Sequence, residues 1–192
     1  MAEKREAQRE RILEAFERCL YSMSFEALSM RAVAQEAGIA LGSIYYYFEN
    51  KEDLLVASIL RSNERYMANI REALTGLHFE AGNRDEYLGT LLRAIARETG
   101  DNKQVDARIC ITACLQSPFH GRIRDTLRAC YAEYYALFAD LLSKTGFPDP
   151  NPLETAKLLC SVLDGIVVYG ILNDEALLSD QAIEHFISIL RP

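Results

Sequence analysis

Nowhere does this 192-residue sequence run to the ~18 uninterrupted apolar residues of a membrane helix, so no spanning segment is expected. The N-terminus is charged and lacks the apolar run of a signal peptide. The five cysteines (Cys19, Cys110, Cys114, Cys130 and Cys160) are odd in number and form no C-x-x-C pair. That fits a reducing cytosol better than a disulfide scaffold, and a cytoplasmic protein is expected. There is no G-x-S-x-G, no P-loop, no H-E-x-x-H and no dinucleotide fingerprint. The acidic residues are spread as solvated helix faces would have them. The three histidines, His78, His120 and His185, are scattered and read as surface or loop residues. An enzyme is therefore not expected, nor a cofactor, nor a bound metal. No strand pattern of any length occurs, and no internal repeat.

What is present is helix. A hydrophobic content of 49% is ample for a core. Residues 5–22 put Ile12, Phe16, Cys19 and Leu20 on one face, with Leu13 beside them. Two short helices follow, Met30–Glu36 and about Leu41–Phe48, joined by a tight turn. Ser29 is placed to cap the first, and Gly38 sits where a chain leaving a helix tends to need positive φ. Ile44 and Phe48 point inward at i, i+4. Asn50 reads as the cap of a long helix to about Leu74, with Glu52 and Asp53 favourably placed against its dipole. Residues 76–84 read as a connection. Helical patterns continue at 85–99, 103–116, 121–145, 153–172 and 178–190, the proline-rich segment 146–152 interrupting them.

Two helices joined by a short glycine-containing turn are the arrangement whose second helix enters the DNA major groove. The stretch from Ser29 to Leu54 also resembles, in one gapless register, the signature of the tetracycline-repressor (TetR) family of bacterial transcription regulators. Ser29, Val33, Ala34, Ala37, Gly38, Ile39, Gly42, Ile44, Tyr45, Phe48, Lys51 and Leu54 match it, some as conservative replacements. Three positions depart. Ala40 stands where a capping Ser or Thr is usual, Tyr47 where His is usual, and Ser24 where a Gly often ends the first helix. The resemblance implies an all-α protein with an N-terminal three-helix DNA-binding domain (1–51) and a larger helical effector-binding and dimerisation domain (52–192). It implies double-stranded operator DNA, a small-molecule effector and a second copy of the chain as partners. It places Ser29, Arg31, Leu41, Gly42, Ser43, Tyr45, Tyr46 and Tyr47 at the DNA, with Lys51 on a phosphate.

The net charge of −7 is not spread evenly. Residues 1–51 hold seven Lys and Arg against eight Asp and Glu, and the rest of the chain fourteen against twenty. The acid is mostly outside the DNA-binding part, where Lys4, Arg5, Arg9, Arg11, Arg31 and Lys51 could make a local basic patch.

The helices at 121–145 and 153–172 are apolar over a wide arc, so each must be buried on more than one side. Two such hairpins about a two-fold axis would make a four-helix interface. Leu127, Tyr134, Phe138, Leu159, Val162, Ile166 and Tyr169 are its expected contacts, with an intramolecular core as the alternative. The resemblance also implies a ligand pocket in the middle helices. Its candidate lining is Leu88, Leu91, Leu92, Ile95, Ile109, Cys110, Ala113, Phe119, Tyr131 and Tyr135, though periodicity alone favours plain core for each. Arg93, Arg97 and Arg108 are expected to face solvent. That lining suits a lipophilic or aromatic effector. Cys110 and Cys114, four apart on one helix face, leave a thiol- or metal-responsive regulator open. A helical ligand-binding or adaptor protein without sequence-specific DNA binding, and a small helical enzyme of unrecognised site, are the remaining alternatives.

Overall fold

The computed structural model describes residues 2–75, 84–97, 103–144, 150–173 and 180–189. Among them every regular element is a helix: α1 (Ala2–Ser22), α2 (Met30–Glu36), α3 (Leu41–Ile44), α4 (Lys51–Ala73), α5 (Arg84–Arg97), α6 (Lys103–Gln116), α7 (Gly121–Lys144), α8 (Pro152–Asn173) and α9 (Asp180–Ile189). The 3.6-residue period therefore located each helix. Of the expected connection at 76–84 only Arg84 is described, as the first residue of α5, and most of the proline segment lies outside the described residues.

The chain divides into two compact units. The first comprises 1–63 together with 104–128, and the second 64–103 together with 129–192.

In the first unit, α1 buries Ile12, Leu13, Phe16, Cys19 and Leu20 and exposes Arg11, Glu14 and Arg18. This is the amphipathic pattern read directly as packing. Phe25, Leu28, Val33, Ile44, Phe48, Leu54, Leu55, Ile109, Ala113 and Ile123 are among the residues buried with them. Burying a side chain such as Phe16 contributes roughly 1.5–3 kcal/mol. α1 is also tied to α4 by charge. Arg61 donates to Glu10 at 2.7 Å and to Glu17 at 2.8 Å, and Glu17 is buried. Arg108 of α6 is exposed, as expected, and from there donates to the Leu20 carbonyl at 3.1 Å and lies over the Tyr21 ring.

In the second unit, Ile70, Tyr87, Phe138, Leu141, Ala156, Cys160 and Leu163 form one core. Leu88 and Leu92 of α5 meet Ile183 and Ile187 of α9 in another. Gly89 lets these two helices close up: a Cβ there would come within 3.3 Å of Ile187 Cδ1 and 2.9 Å of Arg93 Nη1. Arg93 is half-buried and lies 3.8 Å from Glu184, again not a free surface charge. The side chain of Arg97 lies outside the described residues.

Candidate nucleic-acid interface

Local chemistry builds the segment from Ser29 to Asn50. Ser29 is extended (φ −126°, ψ 154°), and its hydroxyl accepts from the Ala32 amide at 3.2 Å. That satisfies one of the amides a helix start leaves open. At the other end of α2, the Gly38 amide donates to Gln35 O at 3.1 Å and the Ile39 amide to Ala34 O at 3.0 Å. This is the paired C-terminal closure that places its next residue in the left-handed region, and Gly38 has φ +64°. A side chain there would be strained by that φ alone.

α3 begins at Ala40 with no side-chain cap, as the sequence implies. It is shorter than expected. It ends at Ile44, and Tyr45–Tyr47 form a turn in which the Tyr47 and Phe48 amides both donate to Ile44 O at 3.0 Å. An uncapped start followed by Gly, Ser and three aromatics, all poorer helix formers than Ala or Leu, accounts for the early end.

Ile44 and Phe48 are buried and hold this segment down, and Leu41 and Tyr47 are half-buried. Gly42 and Ser43 are exposed, as are Tyr45 (52%) and Tyr46 (66%), while Ser29 and Arg31 are exposed at the start of α2. The chain thus spends two apolar anchors to present a row of small, hydroxyl-bearing and aromatic groups outward. α1 contributes to the same surface. The Arg5 guanidinium lies 5.2 Å above the Tyr46 ring, and that of Arg9 5.6 Å above Phe48. Gln8 joins Ile39, Ser43, Tyr46 and Tyr47 in lining a shallow cleft of about 320 Å³. Its amide nitrogen is buried there with no hydrogen-bond partner among the described residues. Gln8 was not singled out in the sequence. Its spacing from Arg5 and Ile12, three and four residues, would have placed it on this face.

Lys51 is placed differently from expectation. Its Nζ donates to the carbonyls of Phe25 (2.9 Å), Glu26 (3.4 Å) and Leu28 (3.4 Å) and sits 4.7 Å above the Phe25 ring. The ammonium has three donors, and all three have acceptors in the loop before α2. Beside it, Asn50 caps α4 through the Asp53 amide at 2.8 Å, and Asp53 accepts from the Glu49 amide at 3.1 Å and pairs with Arg122.

The other expected sites are not all assembled as foreseen. Phe138, expected at a dimer interface, is 1% exposed within its own chain and has nothing left to bury. Tyr134 and Leu159 pack against the core of the second unit, and Leu127 is half-buried. Val162 is 48% exposed and shares a face of α8 with exposed Leu158 and Gly165. The side chains of Ile166 and Tyr169 lie outside the described residues. Of the effector candidates, Ile109, Cys110, Ala113 and Phe119 belong to the first unit. Ile109 and Ala113 are core there, and Phe119 is 80% exposed. Leu88 and Leu92 are core of the second unit, and the side chains of Leu91 and Ile95 lie outside the described residues. Tyr131 and Tyr135 do meet, at 5.8 Å. Cys110 is half-buried and Cys114 exposed, both as thiols. Among the described residues no three His, Cys, Asp or Glu side chains gather as metal ligands. His185 is exposed, His120 half-buried in the α6–α7 turn, and His78 outside the described residues.

A short uncapped helix, held by two apolar anchors and presenting glycine, serine and tyrosines beside arginines of α1, defines a helix-turn-helix DNA-binding protein. The comparisons agree. Residues 12–58 match the family described as "Bacterial regulatory proteins, tetR family". The chain is 35% identical over 168 residues to the HTH-type transcriptional regulator UidR of Escherichia coli (strain K12), covering 86% of this chain and 80% of the relative. It is 45% identical over 75 residues to the HTH-type transcriptional repressor KstR of Mycolicibacterium smegmatis, covering 37% of each. Among solved structures, a putative transcriptional regulator from Pseudomonas aeruginosa PAO1 superposes with a TM-score of 0.81 at 23% identity, over 96% of this chain and 88% of that one. The multidrug binding protein EbrR, solved with imidazole, superposes with a TM-score of 0.69 at 25% identity, over 96% and 95%. The chain belongs to the TetR family: it is a DNA-binding transcriptional regulator, and not an enzyme.

Proposed function

We propose that the chain is a homodimeric repressor that holds a palindromic operator and leaves it when a small molecule binds the second unit. The observation that carries the DNA reading is the outward row on the segment after Gly38. Gly42 admits close backbone approach, Ser43 and Tyr47 bring hydroxyl groups to phosphate or base edges, and Tyr45 and Tyr46 offer exposed rings and hydroxyls. Ser29, Arg31 and Leu41 flank that row. Arg5 and the unpartnered amide of Gln8 extend it. Lys51 acts in this reading as a tie that fixes the loop before α2, not as a phosphate contact.

The exposed apolar stripe of α8 supports the dimer. Leu158, Val162 and Gly165 recur at i, i+4, i+7, the spacing of a helix seam. Two copies must set their recognition segments about 34–36 Å apart to meet successive half-sites. α4 belongs to both units, with its first part in one and its second in the other, so a ligand-dependent change in α4 would alter that spacing. A lipophilic or aromatic effector is in keeping with the aromatic content of the second unit, and the multidrug binding protein EbrR shares the fold.

A gel shift with Tyr46→Ala tests the assignment. The side chain is exposed, so the variant should keep its helix content and melting temperature and lose at least tenfold in operator affinity. Unchanged affinity would remove Tyr46 from the interface.

A further inference from the structure

Four aromatic rings and one carboxylate meet on one side of the second unit: Tyr66, Tyr134 and Tyr135 rest against its core, while the Tyr131–Asp164 pair at the edge of that cluster is accounted for neither by the core nor by the DNA interface. α7 carries Tyr131, Tyr134 and Tyr135 at i, i+3, i+4, which puts all three on one face. α4 brings Tyr66 against them. Tyr66 and Tyr134 stand edge to face with centroids 5.1 Å apart, Tyr131 and Tyr134 edge to face at 5.7 Å, and Tyr131 and Tyr135 tilted at 5.8 Å. α8 supplies Asp164, whose carboxylate accepts from the Tyr131 hydroxyl at 2.7 Å.

We propose that this tyrosine cluster and Asp164 form the recognition site for an organic cation, a quaternary ammonium or a lipophilic protonated amine. The inference rests on the reading of the second unit as the effector-binding part and narrows the class of effector.

Three features select that class. In an edge-to-face pair the positive rim of one ring rests on the negative face of the next. A cation is a stronger partner of the same kind and takes the place of that rim. The carboxylate has room for more than one acceptor contact, and the Tyr131 hydroxyl occupies one. Among the described residues no Lys or Arg forms a salt bridge with Asp164, although other acids of the second unit, such as Asp140, Glu154 and Glu184, each have one. The site is also reachable. Asp164 is exposed and Tyr131 is half-buried. Packing over the rings still partly desolvates the Asp164 carboxylate and pushes its pKa up, the Tyr131 hydroxyl working the other way. A bound cation would relieve that cost. An anion would be repelled by Asp164, and a metal ion would find no third ligand among the described residues. A neutral aromatic would use the rings and leave the carboxylate unused.

Isothermal titration of the full chain with benzyltrimethylammonium, and with neopentylbenzene, which has carbon in place of the ammonium nitrogen, tests the site. The chain has no tryptophan, so tyrosine emission gives a second readout. The cation should bind at least about tenfold more tightly than its neutral isostere, the scale of a charge on desolvated aromatic faces. Asp164→Asn, which can still accept from Tyr131, and Tyr131→Leu should each weaken the cation by about tenfold and the isostere by little. Tyr131→Phe, which keeps the ring, should retain most of the affinity. Circular dichroism and melting temperature verify that each variant is folded. Equal binding of cation and isostere, or undiminished cation binding by folded Asp164→Asn, overturns the proposal. Cation binding with the stated variant pattern but no release of operator DNA upholds the site and refutes the effector reading. Release of DNA by neutral compounds alone, with no cation binding, upholds the effector reading and refutes the site.

Discussion

Lys51 shows how much a single residue's role depends on what surrounds it. Its position in the motif suggests a phosphate contact, yet its ammonium already has three carbonyl acceptors and an aromatic face. Arg31 is exposed at the start of α2 and is the better placed cation for a phosphate. The two assignments separate in salt titrations of operator binding. Arg31→Ala should lower the slope of log K against log salt by about one. Lys51→Met should leave that slope unchanged while lowering the melting temperature, since the Phe25, Glu26 and Leu28 carbonyls lose their shared donor. A slope reduced by Lys51→Met in a protein of unchanged stability would restore the phosphate contact. Cys160 makes the complementary point about burial. Its thiol is pushed up to about 12 by desolvation and by the neighbouring Asp164, so at neutral pH it remains protonated and a poor nucleophile.

Among the elements, α3 is the least supported by its own sequence. Four residues, a glycine and no capping side chain give a helix that exists because Ile44 and Phe48 are buried beneath it. Ala40 is extended, the conformation a capping residue needs. Ala40→Ser should therefore stabilise the protein by about 1 kcal/mol, read as a higher urea midpoint at unchanged m value. A midpoint at or below that of the parent would mean that the α3 amides already have better partners. α7 and α8 teach a different lesson. Both are apolar over a wide arc, but α7 fills its arc inside the chain through Tyr134, Phe138 and Leu141, whereas α8 leaves Leu158 and Val162 exposed.

For the whole molecule the consequence is that α8, with Leu158, Val162 and Val168 exposed along one helix, has apolar surface left for a partner. Val162→Glu should yield monomers in sedimentation at micromolar concentration, because an interface would otherwise bury an unpaired charge. Since Val162 is exposed, the folded chain should tolerate the change and keep its melting behaviour. The monomer should bind a single half-site weakly and lose the tight binding to a full palindrome. A variant that sediments as a dimer would move the interface elsewhere.

The sequence by itself determined where the helices lie, how several begin and end, and which segment carries the helix-turn-helix motif. These are local matters. The period of apolar residues along α1 and α4, the Ser29 and Asn50 caps and the glycine at position 38 act over a few residues and are written in order along the chain. The tertiary structure decided which partner each face meets. Periodicity says that Phe138 and Tyr134 are turned toward something apolar, but not whether that is the chain's own core or a second copy. It cannot bring Lys51 to carbonyls 23 to 26 residues away, or Arg108 to Leu20 across 88 residues. Nor could it gather Tyr66, Tyr131 and Asp164 from three helices into one cluster. The physical reason is that helix formation responds to neighbours within a turn or two. The pairing of side chains from separate helices follows from how those helices pack, which no local stretch of sequence records.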